Sequence, residues 1–331
     1  MKHWINKCHF GDCIETMRRM PDGIVQTCVT SPPYFGLRDY GHAGQIGLEE
    51  TPAQFVAKLV EVFDEVRRVL RDDGTLWLNL GDSYAGSWGA QSREHAGKHA
   101  PNISALSANQ VIAAQRKASG TGSIPAGSGL KPKDLMGIPW RVAFALQDAG
   151  WYLRQDIIWS KPNPMPESVQ DRCTKAHEYI FLLSKSERYY FDSGAIREPA
   201  AIEAGRAPRR ANSFARKVET GRPPGTPASH REDREDISYE GTRNKRSVWR
   251  VSTEPYSGAH FATFPTALIE PCILAGAPAG GVVLDPFFGS GTTGQVAQDL
   301  GRAFIGCELN PAYEPLQRER LRQMGLILEA A

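Results

Sequence analysis

Two short stretches carry residue types that could do chemistry together. Thr30-Ser-Pro-Pro-Tyr34 follows the strand-like run Ile24 to Val29. Two successive prolines fix an extended backbone with no N–H to donate. The carbonyls of Ser31 and Pro32 can then act as acceptors beside the Ser31 hydroxyl and the flat ring of Tyr34. Acceptors next to an aromatic plate suit a planar base that bears an exocyclic amino group. The second stretch, Asp285-Pro-Phe-Phe-Gly-Ser-Gly-Thr-Thr293, lies between the apolar run Gly281 to Leu284 and a helical pattern over Thr292 to Leu300. Strand, glycine turn and helix N-terminus together make a docking place for a polar ligand, with Gly289 and Gly291 allowing close backbone approach. No Gly-Lys-Ser/Thr follows, so this is not a P-loop, and the dinucleotide glycine fingerprint is absent as well. Asp285 would repel a pyrophosphate but suits a ligand carrying an ammonium group. Glu308 closes the next strand-like run, where an acid can hold the two hydroxyls of a ribose. Taken singly, the first stretch also fits an ordinary proline turn, and the second an ordinary α/β turn.

Together the two stretches resemble the beta class of S-adenosylmethionine-dependent DNA amino-methyltransferases. In that family D-P-F-x-G-S-G-T-T binds the cofactor, and a (S/D/N)-P-P-(Y/F) tetrapeptide is catalytic. Gly11-Asp12 resembles the family's acidic position near the adenine of the cofactor. Trp159-Ser-Lys-Pro-Asn163 resembles its W-x-K-x-N segment, and His260-Phe-Ala-Thr-Phe-Pro265 its H-x-A-x-F-P segment. The tetrapeptide precedes the cofactor motif, which is the order of the beta class. The resemblance implies a Rossmann-like α/β fold, circularly permuted, with a seven-stranded, mostly parallel sheet and one antiparallel strand. It implies Ser31, Pro32, Pro33 and Tyr34 as catalytic residues. It implies Asp12, Thr30, Phe264, Pro265, Asp285, Pro286, Phe287, Gly289, Ser290, Gly291, Thr292 and Glu308 as binders of S-adenosyl-L-methionine, with no metal. Double-stranded DNA is the implied partner, with a homodimer and a cognate restriction endonuclease as further partners the family admits. Ser at the first tetrapeptide position is commoner in N4-cytosine enzymes, and Asp or Asn in N6-adenine enzymes. N4 of cytosine is therefore the expected target and N6 of adenine the alternative. RNA methylation and an idle DNA-binding module are more distant readings.

The elements that must position these residues are legible around them. Residues 1–84 read as strand (4–9), helix (12–20), strand (24–29), helix (52–70) and strand (75–80). Phe55, Leu59, Val62, Phe63, Val66, Val69 and Leu70 form a helical-period stripe, expected to be core. Arg67, Arg68 and Arg71 sit where cations oppose a helix dipole, and are assigned to that rather than to DNA. Gly81-Asp82-Ser83-Tyr84 falls at a strand's carboxyl end, fitting either a base pocket or a simple turn. A helix is expected over Asp134 to Leu146. Strands are expected over Tyr152 to Trp159 and Glu178 to Ser184 as an antiparallel hairpin, with Arg188 to Phe191 extending the second or adding a short one.

Two stretches differ in composition. Residues 86–132 are rich in Gly, Ser, Ala, His and Gln and read as a flexible insert. His95 and His99 have a helical ligand spacing, but no third ligand accompanies them. Residues 195–255 are rich in Arg, Pro and Gly, with 13 Lys/Arg against 8 Asp/Glu between Arg197 and Arg250. The resemblance places the target-recognition region here, where arginines can neutralise phosphates and read guanine. The expected organisation is a catalytic domain of residues 1–194 and 256–331, with a recognition region over 195–255.

A chain of 331 residues can bury a large core, and no apolar run is long enough to span a bilayer. The N-terminus lacks signal-peptide character. Six scattered cysteines without a Cys-x-x-Cys pair suggest a reduced, cytoplasmic protein, and the family resemblance implies a bacterial, archaeal or phage-encoded one associated with the nucleoid. The net charge of +2 excludes any argument for nucleic-acid binding from charge alone.

Overall fold

The computed structural model describes residues 3–36, 42, 44–85, 130–200, 241–254 and 264–322. The residues divide into two compact units, Met1–Asp192 with Ser247–Ala331, and Ser193–Arg246.

The first unit is built on an eight-stranded sheet. Its strands are β1 (Lys7–Phe10), β2 (Val25–Thr30), β3 (Leu70–Leu80), β4 (Tyr152–Ser160), β5 (His177–Ser184), β8 (Val248–Arg250), β9 (Val282–Asp285) and β10 (Ala303–Glu308). Their order is β1-β10-β9-β2-β3-β5-β4-β8. Only β5 runs against its neighbours, pairing antiparallel with both β3 and β4. The sheet is the expected Rossmann-like α/β one with a single antiparallel strand. It has eight strands rather than seven, because β8 adds a short parallel edge beyond β4.

Central strands are buried on both faces, as in a sheet covered by helices on both sides. All six residues of β2 are buried. Helix α2 (Pro52–Val69) begins with a reciprocal capping box between Thr51 and Gln54 and has Pro52 in its first turn. Its stripe from Phe55 to Val69 is fully buried against the core. Leu70 also joins the core, but as the first residue of β3 rather than the last turn of the helix. Arg68 at the end of α2 donates to the carbonyls of Met17 and Met20 and pairs with Asp22 and Glu65. It binds the helix end to the segment after helix α1 (Cys13–Arg18).

Other elements shift from the expected bounds for local reasons. Helix α1 starts at Cys13 because Asp12 caps it, accepting from the Glu15 N–H at 2.9 Å. Helix α3 (Ile138–Asp148) starts four residues later than expected, because the Asp82 carboxylate accepts the N–H groups of Gly137 and Ile138, each at 3.1 Å. Asp82 is thus a helix cap, and the turn alternative for residues 81–84 holds at this residue. No strand forms over 188–191. There the Tyr190 N–H turns to the Asp73 carbonyl and the Asp192 N–H to that of Ala275, at 2.9 Å each. Helices α4 (Thr266–Gly276), α5 (Thr292–Asp299) and α6 (Glu314–Arg322) complete the unit. No helix among the described residues is long and apolar enough to cross a membrane.

In the second unit the described residues form a two-stranded antiparallel ribbon of β6 (Glu198–Pro199) and β7 (Thr242–Arg243). Glu198 accepts from Arg243 at 2.8 Å and Arg246 at 2.6 Å. Two of the basic residues counted in this region are therefore engaged with a carboxylate. The remaining arginines between 201 and 240, and the insert with His95 and His99, lie outside the described residues.

Candidate active site

Strand order places a crevice between β9 and β2. From β9 the chain proceeds to β10 on one side, and from β2 to β3 on the other, so loops leaving their carboxyl ends diverge. A cavity of about 270 Å³ opens there. One wall comes from the β1–α1 turn, the loop after β9 and the end of β10, with Asp12, Pro286, Phe287, Gly289 and Glu308. The facing wall carries Ser31, Pro32, Pro33 and Tyr34 after β2. Residues 255 apart in the chain are so brought into one site, and Phe264 joins the lining.

The nucleoside-like wall is held by its own backbone. Glu308 accepts the Gly289 N–H at 2.7 Å and the Asn310 N–H at 2.8 Å, one on each oxygen. Burial raises its pKa, and the two backbone donors oppose the rise. Gly289 takes φ +51°, which lets the turn double back on the acid. Asp12, at the mouth of α1, adds a second acceptor, and Phe287 and Tyr313 add flat apolar surface. Two carboxylates for hydroxyl and amino donors, with aromatic faces between them, fit the adenosine part of S-adenosylmethionine. Gly11, at φ +130°, has open space where a side chain would stand, leaving that part of the wall unobstructed.

Several residues expected to bind the cofactor do not line the cavity. Asp285 is only 3% exposed. Its carboxylate accepts from Thr30 Oγ1 and Thr293 Oγ1, each at 2.6 Å, and from the Phe287 N–H at 3.0 Å. Burial pushes its pKa up to about 6 against the pull of these donors. The acid ties the ends of β2, β9 and α5 together beneath the cavity. Thr30 is committed to the same bond, and Pro265 is a buried residue preceding α4. Ser290 is buried, Gly291 forms the left-handed entry to α5, and Thr292 receives a hydrogen bond from Arg320.

The wall that carries Ser31 and Tyr34 contains a cluster that the motifs did not reveal. Tyr34 donates its hydroxyl to Glu178 Oε2 at 2.7 Å, and Asn79 Nδ2 donates to the same oxygen at 3.2 Å. Lys161 pairs with the other oxygen of Glu178 and stands 4.2 Å over the Trp159 ring. All five residues line the cavity. Burial, then the Glu178 charge, drives the Tyr34 pKa well above the usual phenol range, while the Ser31 hydroxyl acts on it in the opposite sense. Tyr34 also packs on Gly81, where a Cβ would lie 2.5 Å from the ring. A signal for Glu178 was present in the sequence. It is the second residue of the antiparallel strand β5, after His177, and such a strand begins on the rim where its parallel neighbours end.

The Ser-Pro-Pro-Tyr turn and the wall of Asp12, Gly289 and Glu308 share one cavity at the switch point of a permuted Rossmann-like sheet, an arrangement of the class that binds nucleoside-bearing cofactors. Comparison with known proteins narrows this class. A family model described as DNA methylase matches residues 25–319, and the chain belongs to that family of N6/N4 DNA methyltransferases. It is 48% identical over 312 residues to the type II methyltransferase M.XycI of Xanthomonas campestris pv. cyanopsidis, covering 94% of this chain and 86% of that protein. It is 45% identical to the type II methyltransferase M.SmaI of Serratia marcescens, covering 94% and 89%. The fold is shared with PvuII DNA methyltransferase, described as cytosine-N4-specific, at a TM-score of 0.59 and 18% identity over 95% of this chain and 85% of that one.

Proposed function

We propose that this protein transfers a methyl group to the exocyclic N4 of cytosine in duplex DNA, as the modification enzyme of a type II restriction-modification system. The observation that carries the reading is the placement of Ser31 and Pro32 across one cavity from Asp12 and Glu308. Membership of the DNA methylase family supports DNA as substrate, and the type II relatives support the biological setting. Serine at the head of the tetrapeptide supports cytosine over adenine. The catalytic residues are Ser31, Pro32, Pro33 and Tyr34, and the second unit, with its flanking residues to 255, reads the target sequence.

The methyl donor is S-adenosylmethionine, held by Asp12, Phe287, Gly289 and Glu308, and it supplies an electrophilic methyl on a sulfonium. The protein's own residues deal with the amine. An exocyclic amino nitrogen is a poor nucleophile because its lone pair is delocalised into the ring. Ser31 Oγ and the Pro32 carbonyl accept its two hydrogens, which draws the nitrogen towards tetrahedral geometry and localises the lone pair. The base must first leave the helix, at a cost of a few kcal/mol. Stacking on the Tyr34 ring returns about 1–3 kcal/mol, and the bond to Glu178 fixes the ring for it. What remains is positioning and electrostatics, with no covalent enzyme intermediate.

The test is incubation with cofactor and mixed-sequence duplex DNA, digestion to nucleosides and mass spectrometry. N4-methylcytosine is the expected product. N6-methyladenine would overturn the choice of base and keep the mechanism, and methylation of RNA alone would overturn the DNA reading.

A further inference from the structure

Methyl transfer to an amino group leaves a problem that the tetrapeptide does not solve. The nitrogen lone pair forms the new N–C bond, and the electron pair of the broken C–S bond stays on sulfur. The nitrogen then carries a positive charge and one proton too many. Ser31 Oγ and the Pro32 carbonyl accept hydrogen bonds from this amine, but a hydroxyl and an amide oxygen are too weakly basic to keep a proton. A final acceptor has to be a side chain that can hold it.

Among the described residues, four carboxylate or imidazole acceptors line the cavity: Asp12, His42, Glu178 and Glu308. Asp12 and Glu308 belong to the β1 and β10 side and are engaged with backbone N–H groups there. Glu178 stands on the Ser31 side. Tyr34 Oη donates to Glu178 Oε2 at 2.7 Å, and the Ser31 hydroxyl acts on the same phenol as a hydrogen-bond donor. Asn79 braces the same oxygen at 3.2 Å, and Lys161 holds the other, so the carboxylate presents a fixed oxygen to Tyr34. The bond to Glu178 also raises the Tyr34 pKa, so the phenol keeps its proton until it can pass it on.

We infer that Ser31, Tyr34 and Glu178 form a proton relay that carries the amine's surplus proton out of the site to the Glu178 carboxylate. This rests on the amino-methyltransferase reading above. The amine proton passes to Ser31 Oγ as the serine's own proton moves to Tyr34 Oη, and the tyrosine's proton moves to Glu178 Oε2. Serine and tyrosine end as they began, the product base is neutral, and Glu178 ends as a neutral carboxylic acid. It returns the proton to solvent when the product leaves. Tyr34 thus has a task besides stacking, and its hydroxyl is the part that performs it.

The test compares single-turnover methyl transfer by wild type, E178Q, E178A, Y34F and H42Q, with cofactor affinity measured separately by calorimetry. Gln still accepts from Tyr34 but cannot take a proton. E178Q and Y34F should lose about 10²–10⁴-fold in single-turnover rate, with cofactor Kd within about twofold of wild type, since both lie on the opposite wall from the nucleoside. Formate should restore part of the E178A rate in proportion to its concentration and do nothing for an E178A/Y34F double variant. A merely structural Glu178 would show no such rescue. Wild-type rate in E178Q overturns the relay, as does a loss in E178A that formate leaves untouched. Loss in H42Q with E178Q unimpaired assigns the proton to His42 instead. A wild type that methylates no duplex overturns the parent reading and the relay with it, whereas an active wild type beside an unimpaired E178Q overturns the relay alone.

Discussion

Thr30 Oγ1 donates to Asp285 Oδ1 at 2.6 Å, joining residues 255 apart in the chain and closing the seam between β2 and β9. The tetrapeptide proposed as catalytic begins at the next residue after Thr30, and the turn proposed to hold the cofactor begins at Asp285. This buried hydrogen bond extends the β2–β9 pairing to the point where the two walls of the cavity diverge. Thr30→Val removes the donor at nearly constant volume and leaves a buried carboxylate oxygen with only the Phe287 N–H. A hydrogen bond to a charged group is worth about 1.5–3 kcal/mol. Urea unfolding at pH 7 should show a loss of that size, and methyl transfer should fall with it.

The same acid makes stability depend on pH. Burial raises the Asp285 pKa from an ordinary 3.8 to about 6. Between those values the folded protein binds more protons here than the unfolded chain, so protonation favours the fold. The contribution is fully present below the unfolded value and is lost as pH rises through the folded one. Its full size is about 3 kcal/mol at 1.36 kcal/mol per pKa unit. The stability difference between wild type and Asp285→Asn, followed by urea midpoints from pH 4 to pH 7, should drift against wild type as pH rises. A flat difference would mean that Asp285 titrates normally.

Much of this architecture was legible because it is written in local chemistry. The apolar runs of β2 and β9, the glycines at 289 and 291 and the paired prolines each announce a conformation without help from the rest of the chain. Glu308 and Ser31 could be placed for the same reason, since each sits next to a strand end. What could not be read was which side the buried groups face. Asp285 has the sequence context of a ligand-binding acid, yet Thr30 and Thr293 reach it from distant elements and take up its oxygens. Asp82 likewise serves the start of α3, across an insert of more than forty residues. Glu178 was missed because its significance comes from three partners on three other elements. Tyr34 follows β2, Asn79 lies in β3, and Lys161 follows β4.

Glu308 offers a separate handle on cofactor binding. Its two oxygens each accept a backbone N–H, from Gly289 and Asn310. Glu308→Gln replaces one acceptor by an amide donor, which must then face one of those N–H groups. If Glu308 holds the ribose hydroxyls as proposed, losing that charged hydrogen bond, worth about 1.5–3 kcal/mol, should weaken cofactor affinity about tenfold to a hundredfold. Calorimetric titration with S-adenosylmethionine measures this directly. The single-turnover rate at saturating cofactor should change much less, because the amine-facing wall is untouched.

Ser31→Ala should divide the kinetics the other way. On the proposed mechanism the hydroxyl faces the amine rather than the nucleoside wall, so cofactor affinity should stay within about twofold of wild type. Removing one hydrogen-bonding group that acts on the reacting centre costs about 10²–10³ in kcat. Pre-steady-state methyl transfer with saturating DNA and cofactor checks both numbers in one series. Full turnover in this variant would remove Ser31 from the mechanism.

Gly81 tests whether the position of the Tyr34 ring matters apart from its hydroxyl. A Cβ at residue 81 would stand 2.5 Å from Tyr34 Cε2 and 3.3 Å from the Glu178 carboxyl carbon. The ring cannot swing aside freely, because its hydroxyl is bound to Glu178. Gly81→Ala therefore has to shift the ring and the carboxylate together or strain the end of β3. Overpacking of this kind costs about 1–3 kcal/mol of stability, which a unit with so large a core should survive. Methyl transfer should fall about tenfold or more while calorimetric cofactor affinity stays near wild type. If activity is unchanged although the variant is destabilised, the strain has gone into β3 and the ring has kept its place.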